Sequence, residues 1–285
     1  MKSWLLARLA VAWVALALPL SPAVCETVHF RSAATPPTPL QQRLAKERGQ
    51  SIAEQPTVEL AGELYRPAGD GPFPAVVSLH GCDGRASKKS EDAKSARFVE
   101  LGYAVLIVDS FGPRGIKERC TGAGPAIDRV MDAYGGLLFL AVLPFIDPER
   151  IAVVGYSQGA MVALSAIARD GVETLFDRRF VAAVAYYPLC ADRAGAVVVP
   201  TLILIGELDD WTPAKDCREM MARRSGEGAS LRLLVYPDAY LAFDAIGLRG
   251  RPAISAHGHH IEYNEAADSA AWTAAVETLQ QAFGR

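Results

Sequence analysis

The sequence predicts a single α/β domain in which helices cover both faces of a mostly parallel sheet. From residue 58 onward, short apolar runs rich in Val, Ile and Leu alternate with segments of helical period. The apolar runs are nearly continuous instead of alternating with polar residues, which is typical of parallel strands buried on both faces. A length of 285 residues is sufficient for one core of this kind.

The predicted elements follow one another regularly along the chain. Residues 58–65 are expected to add an edge strand or a hairpin ahead of the alternation. A last helix is expected to begin after Asn264, a suitable N-cap, and to end at Phe283. The other strands are predicted at 75–79, 103–108, 151–154, 181–186, 201–205 and 231–236, and the helices between them at 91–101, 127–143, 160–169 and 213–224.

The first 57 residues are predicted to lie outside the domain, which is expected to span 58–285. Residues 1–23 combine two basic residues, an apolar run and small residues near Ala23, which is the three-part pattern of a signal peptide. The apolar run is shorter than the roughly 20 residues that a membrane span requires. Residues 24–57 contain four prolines among polar residues and predict an exposed leader without a core of its own. We therefore expect an exported protein, periplasmic or secreted, with no membrane span.

The charge balance and the cysteines exclude some classes of protein and favour others. Lys and Arg number 29 against 32 Asp and Glu, so a nucleic-acid-binding function lacks the basic excess that a phosphate backbone requires. Five cysteines suit an oxidising compartment. Cleavage after Ala23 would leave Cys25 as an unpaired fifth cysteine, whereas cleavage after Cys25 would leave an even number of cysteines in the mature chain.

A Gly-Tyr-Ser-Gln-Gly motif at 155–159 directly follows the predicted strand 151–154 and precedes a helical segment. This strand, turn and helix context is the one in which a serine nucleophile is presented above a sheet. Ser157 would adopt a strained backbone conformation there, and side chains at 155 or 159 would collide with neighbouring elements. The N-terminus of the following helix would favour developing negative charge. The alternative is a plain turn whose serine caps the helix.

A second glycine-containing turn, His-Gly-Cys-Asp-Gly at 80–84, follows the predicted strand 75–79. In hydrolases of this architecture, such a turn supplies one backbone N–H to the oxyanion and the residue after the nucleophile supplies the other. The sequence therefore predicts Cys82 and Gln158 as oxyanion donors through their backbone. His80 lies beside the turn, and we expect a structural hydrogen-bonding role for it.

The acidic residue follows in the expected order. The predicted strand 201–205 runs into Asp209 and Asp210. A carboxylate at the C-terminal edge of a strand can orient a histidine and stabilise its imidazolium form, and we assign this role to Asp209. Asp210 is the competitor, with capping of the helix near Pro213 as its other role.

Taken in order, these motifs resemble the dienelactone hydrolase family of α/β-hydrolases, in particular its exported bacterial members. The resemblance implies hydrolysis of a small ester or lactone substrate through an acyl-enzyme, without a cofactor. It also implies that Ser157 takes the place of the cysteine nucleophile of the founding enzymes. The stretches that carry the resemblance are 72–77 with 80–84, 102–105 with 109–115, 155–159, 206–213 and 236–240.

The sequence departs from the family at one decisive position. After the last strand the family pattern reads Tyr-His-Ala-Phe-Asp, whereas this chain reads Tyr-Leu-Ala-Phe-Asp with Leu241. Leucine cannot accept a proton, and loss of the base of a triad costs several orders of magnitude in turnover. Three explanations stay open: a base supplied by His257, His259 or His260, an inactive relative that binds a small ligand, and an engineered or accidental substitution in an otherwise active enzyme.

Further expectations concern the histidine cluster, one arginine and the cysteines. The three histidines predict a solvated loop and no metal site, because no carboxylate or cysteine accompanies them at a convincing ligand spacing. Arg114 would either bind a substrate carboxylate in a fork or hold its loop through an ion pair. Loops at the catalytic edge carry Cys82 and Cys120, so we predict a Cys82–Cys120 disulfide and a second one between Cys190 and Cys217.

Overall fold

The computed structural model describes residues 24–35, 37–52, 56–85, 88–123 and 126–284. An eight-stranded sheet forms the centre of this part of the chain. Apolar side chains from its strands and from the helices that pack on it form one continuous core. The strands are β1 (Val24–Arg31), β2 (Glu59–Arg66), β3 (Phe73–Leu79), β4 (Ala104–Asp109), β5 (Ile146–Tyr156), β6 (Ala183–Tyr186), β7 (Thr201–Gly206) and β8 (Leu231–Tyr236).

The strand order across the sheet is β1-β2-β4-β3-β5-β6-β7-β8. β2 pairs antiparallel with both β1 and β4, and every other neighbouring pair is parallel. The mostly parallel sheet that was predicted from the apolar runs is therefore confirmed. Parallel strands bring their carboxyl ends to a common edge, so the loops that follow β3, β5, β7 and β8 meet there.

The helices pack against the sheet in two groups. α3 and α4 contact each other and β5. α2 and α6 meet through Phe98 and Trp272, whose ring centroids are 4.7 Å apart. Asn264 caps α6 as predicted, because its side chain accepts a hydrogen bond from the Ala267 N–H. The helices are α1 (Pro39–Glu47), α2 (Lys88–Glu100), α3 (Arg129–Ala141), α4 (Gln158–Ala166), α5 (Ala214–Arg223) and α6 (Glu265–Ala282), and a short hairpin is formed by β9 (Ala253–Ile254) and β10 (His260–Ile261).

The interpretation of residues 24–57 as a leader without a place in the core needs a correction. β1 pairs with β2 along its whole length, and Phe30 is buried with its ring stacked 5.2 Å from that of Phe139. Only the later part behaves as predicted, since α1 buries none of its residues. A mostly exposed edge strand is stabilised chiefly by pairing with its neighbour and needs few buried side chains of its own. Its sequence therefore lacks the long apolar run by which a buried strand is recognised. The predicted signal peptide, residues 1–23, lies outside the described residues.

Both predicted disulfides are present, Cys82–Cys120 and Cys190–Cys217, and Cys25 is an exposed free thiol. Two disulfides indicate an oxidising compartment. In the part of the chain that the structure covers, no helix has the length and apolar character needed to cross a bilayer.

Candidate active site

The strongest sign of a reactive centre is the backbone of Ser157, which lies between β5 and α4. Its φ of 52° and ψ of −118° place a non-glycine residue in a conformation that L-residues rarely adopt. A Cβ on Gly155 would lie 2.6 Å from the Ala160 nitrogen, and one on Gly159 would lie 2.5 Å from the His80 carbonyl oxygen. The two glycines are thus required sterically, as predicted, and the strand can turn sharply into the helix only with them.

The turn at 80–84 faces Ser157 across the edge of the sheet. A Cβ placed on Gly81 would lie in van der Waals contact with the Ser157 Cβ, at 3.7 Å, so the turn lies directly beside the serine. Gln158 opens α4, and the N–H groups of the first helical turn have no intrahelical acceptor. The two predicted oxyanion donors thus belong to the turn beside Ser157, which carries Cys82, and to the helix that follows the serine, which begins at Gln158.

His80 is committed to structural hydrogen bonds, in agreement with the sequence-based expectation. Its Nε2 accepts from the Ser110 N–H at 3.3 Å, so Nδ1 carries the proton and donates to the Gly81 carbonyl oxygen at 2.7 Å. Burial, together with the nearby charge of Arg129, lowers the pKa of His80 to about 3. The imidazole is therefore neutral at physiological pH and holds the turn in place.

This depressed pKa predicts a measurable loss of stability in acid. Because the pKa in the folded state lies below the ordinary 6.5, the contribution of neutral His80 is complete above pH 6.5 and is lost as the pH falls toward 3. Each pH unit in that interval removes up to about 1.4 kcal/mol from the free energy of unfolding. Urea unfolding at pH 7, 6, 5 and 4 should therefore show a shallower decline for His80→Gln than for the unsubstituted protein. His29→Gln is the matched control, because His29 is an exposed residue of β1. Equal slopes of the free energy of unfolding against pH in all three proteins would contradict the prediction.

Asp209 is buried in the loop that follows β7. One carboxylate oxygen accepts from the N–H groups of Trp211 and Thr212, and the other accepts from the Thr212 hydroxyl at 2.7 Å. Burial raises the pKa of Asp209 despite these hydrogen bonds. The carboxylate is thus rigidly held, as an orienting acid must be.

Leu241 occupies a position next to this acidic loop. The Leu208 N–H donates to the Ala239 carbonyl oxygen at 3.0 Å, which joins the loop after β7 to the segment that leads into Leu241. The leucine is 5% exposed and forms an isolated bridge to Ile261. The Leu241 side chain is therefore packed within the apolar core and carries no hydrogen-bonding group.

Of the three candidate replacement histidines, His257 and His259 both pack against the Trp211 ring, whereas His260 packs elsewhere. His257 lies near Glu118 and near Cys120, which is disulfide-bonded to Cys82 in the turn at 80–84. His259 stacks on Trp211, with its Nδ1 3.5 Å from an Asp210 carboxylate oxygen. Among the described residues, none of the three histidines is hydrogen-bonded to Ser157 or Asp209. His260 stacks on Tyr240 and its Nε2 lies 2.9 Å from a Glu262 carboxylate oxygen.

A metal site is not supported by the one candidate grouping within the described residues. Glu118, Cys120 and His257 have potential ligand atoms within 4.8 Å of one another. The Cys120 sulfur is bonded to Cys82, so it cannot serve as the thiolate ligand that metals prefer. Two exposed side chains remain, which is too few for a structural site.

Arg114 forms an ion pair and is not placed as a substrate clamp. Its two terminal nitrogens each donate to one Asp132 oxygen at 2.8 Å, and one of them also donates to the Ser110 carbonyl oxygen. Asp132 is fully buried. Of the two roles considered for Arg114, the structure provides the one in which an ion pair holds the loop.

Sequence reasoning missed two charged residues next to the serine. A Cβ built on Gly81 would lie 3.0 Å from an Asp83 carboxylate oxygen and 3.7 Å from the Ser157 Cβ, so Asp83 and Ser157 both lie close to Gly81. Reduced hydration raises the pKa of the Asp83 carboxyl, although the residue keeps an exposed edge. Arg129, the first residue of α3, is buried against His80 and Gln158. The Asp in the turn at 80–84 was visible in the sequence, whereas nothing local marked Arg129.

Comparison with known proteins gives a family match over most of the chain. Residues 60–283 match the model of the Dienelactone hydrolase family. A curated protein named "Uncharacterized protein Rv2307c" from Mycobacterium tuberculosis (strain ATCC 25618 / H37Rv) is 29% identical over 214 residues, which are 68% of this chain and 73% of that protein. The protein named "Probable dipeptidyl-aminopeptidase B" from Paracoccidioides brasiliensis (strain Pb18) is 31% identical over 112 residues. That match takes in 36% of this chain and only 12% of the fungal protein.

A solved structure shares the fold over nearly the whole chain. It is the dienelactone hydrolase-like promiscuous phosphotriesterase P91 from metagenomic libraries, with a TM-score of 0.61 and 18% sequence identity. The superposition covers 92% of this chain and 99% of that one. At this identity the likeness establishes the architecture, and the chemistry has to be argued from the residues themselves.

Proposed function

We propose that this chain, which belongs to the dienelactone hydrolase family, hydrolyses small carboxylic esters or lactones through an acyl-serine intermediate. The observation that carries the proposal is the strained Ser157, held between two sterically required glycines and facing the turn at 80–84. Strain of this kind is retained where it serves a function.

In the proposed reaction, the Ser157 Oγ attacks the carbonyl carbon of the substrate and its proton passes to a base. The backbone N–H groups of Cys82 and Gln158 stabilise the oxyanion that forms. The carbon–oxygen bond to the leaving alcohol then breaks, the alcohol takes up a proton, and an ester to Ser157 remains. Water then gives a proton to the base and attacks the carbonyl carbon of this ester to form a second oxyanion. The bond between this carbon and the Ser157 Oγ breaks, the serine oxygen regains a proton, and the acid is released.

The proposed mechanism needs a proton acceptor other than the usual one. In the family that acceptor is a histidine oriented by the acid, here Asp209, whereas position 241 of this chain holds a leucine. Asp83 is a carboxylate beside the serine with a raised pKa, which is the direction that general-base work near neutral pH favours. The variants Asp83→Asn, His257→Gln, His259→Gln and His260→Gln separate a carboxylate base from a displaced histidine, because only substitution of the residue that takes the proton should abolish turnover.

A cleft of about 320 Å³ lies next to Gln158, the residue after the proposed nucleophile. Its lining includes Met161 and Val162 together with Arg119, Arg129 and Arg193, but not Ser157, so its volume does not define the size of the substrate.

A serine-directed fluorophosphonate and p-nitrophenyl acetate test the proposal together. The unsubstituted protein should form a covalent adduct at Ser157, identified by mass spectrometry of the peptide, and should release p-nitrophenol above the background rate. Ser157→Ala should do neither while keeping the same unfolding midpoint. Absence of both labelling and turnover in the folded, unsubstituted protein would refute the proposal.

The second candidate function is a binding protein on the same scaffold, and the packed Leu241 favours it. In that case the cleft would bind a small ligand without chemistry. A ligand that raises the unfolding temperature equally in the unsubstituted protein and in Ser157→Ala, with no product formed, would support binding over hydrolysis.

A further inference from the structure

Arg129 is a cation in a place where a cation is unfavourable. It is the first residue of α3, where the helix dipole opposes positive charge, and it is only 6% exposed. Burial lowers its pKa to about 10, which still leaves the guanidinium charged at neutral pH. Contacts specific to this position must therefore offset the cost of burying it.

These contacts reach two elements beside Ser157, the helix α4 and the turn at 80–84. One terminal nitrogen of Arg129 donates to the Gln158 side-chain oxygen at 2.9 Å, and the other donates to the His80 carbonyl oxygen at 2.7 Å. Gln158 opens the helix that follows the nucleophile, and His80 opens the turn that carries Cys82. A single planar group therefore spans the two elements that present the backbone N–H groups.

Aromatic packing fixes the direction of this bridge. The guanidinium carbon lies 5.0 Å from the centre of the Phe111 ring, and the His80 ring meets the same phenylalanine edge-on with centroids 4.6 Å apart. His80 in turn donates to the Gly81 carbonyl oxygen. Arg129, His80 and Phe111 thus form one packed unit behind the turn.

We infer that Arg129 is a positioning residue that holds the Cys82 and Gln158 N–H groups at the spacing required by the oxyanion. The inference rests on the proposed function. Oxyanion donors must lie within about 2.7–3.1 Å of the developing charge. A small shift of the turn at 80–84 or of the start of α4 therefore reduces the stabilisation of the oxyanion. A lysine cannot replace the arginine, because one ammonium does not form the two-pronged bridge.

The kinetic test compares Arg129→Lys and Arg129→Met with the unsubstituted protein on p-nitrophenyl acetate. Both variants should lower kcat about 10- to 100-fold with KM changed less than about twofold, because the oxyanion interaction exists only in the transition state. Arg97→Met is the matched control, since Arg97 is a partly buried arginine that donates to an Asp268 carboxylate oxygen and packs over the Trp272 ring, between α2 and α6. An unchanged kcat in both Arg129 variants, or an equal loss in Arg97→Met, would overturn the inference.

A second measurement does not depend on turnover. In hydrogen exchange followed by mass spectrometry, peptides covering 80–84 and 157–160 should exchange faster together in both Arg129 variants. Exchange in β6 and β7 should stay unchanged. Unaltered exchange at either segment would overturn the positioning role. Failure of the unsubstituted protein to hydrolyse esters or label Ser157 would instead refute the proposed function, so the two failures are distinguishable.

Discussion

Leu241→His is expected to raise kcat/KM for p-nitrophenyl acetate by about 10²- to 10⁴-fold, the usual contribution of a positioned general base. The Asp209 carboxylate is buried, held by Thr212 and Trp211, and joined through the loop after β7 to the segment that bears Leu241. We expect an imidazole introduced there to take Asp209 as its orienting partner. Initial rates over a range of substrate concentrations measure the gain.

Two controls accompany this substitution. Leu241→Gln adds a polar side chain that cannot act as a base near neutral pH and should leave the rate unchanged. Asp209→Asn in the Leu241→His background should remove most of the gain, because the histidine would lose its partner. If Leu241→His has no effect while His257→Gln, His259→Gln or Asp83→Asn abolishes turnover, position 241 is not the vacant base site.

Leu241→His should also change the pH dependence of the reaction. The general base must be neutral, so kcat/KM should rise as the pH increases through the pKa of the new imidazole and then level off. A negatively charged Asp209 favours the protonated imidazole and moves this rise to higher pH, whereas Asp209→Asn should move it back down. A rate that increases without such a pH profile would show that the histidine acts in another way.

Gly159→Ala is expected to have the largest effect on stability, a loss of about 3 kcal/mol or more in the free energy of unfolding. The added methyl group would lie 2.5 Å from the His80 carbonyl oxygen and closer still to that of Leu79. Both atoms belong to the backbone at the end of β3 and cannot rotate away. Urea unfolding monitored by tryptophan fluorescence measures the loss.

The matched control is Gly247→Ala. A methyl group at Gly247 would lie 3.4 Å from its nearest neighbour, the Ser90 hydroxyl, which a small side-chain movement relieves. This variant should unfold within about 1 kcal/mol of the unsubstituted protein. Similar stabilities for the two glycine variants would show that the close approach of α4 to β3 is not a steric requirement.

Features that depend on local sequence were predicted well. The buried parallel strands are signalled by apolar runs, and β7, all six residues of which are buried, was predicted to within one residue because a fully buried strand has no exposed positions to interrupt the run. The Cys82–Cys120 disulfide followed from the placement of both cysteines on loops at one edge of the sheet, and the Cys190–Cys217 disulfide was predicted as the second pair. The glycines of the 155–159 motif were predicted from steric need, and their surroundings agree.

Features that depend on contacts between distant segments were not accessible in the same way. β1 is stabilised by pairing with β2, so its own residues carry only a weak pattern. Arg129 stands in an ordinary helical segment, and its bridge between His80 and Gln158 exists only after α3 has packed against two other elements. The proton acceptor belongs to this class too, because a base is defined by its distance from Ser157 and not by its neighbours in sequence.

The two disulfides have a consequence for maturation of the chain outside a reducing environment. Cys82–Cys120 and Cys190–Cys217 span 38 and 27 residues and follow one another along the chain without overlapping. If the four paired cysteines are oxidised in chain order, each meets its correct partner before the next pair is available. Consecutive pairing needs a thiol oxidant, and among the described cysteines only Cys25 lies outside the two pairs. The exposed Cys25, which emerges first, is the thiol that such an oxidant would most readily capture in error.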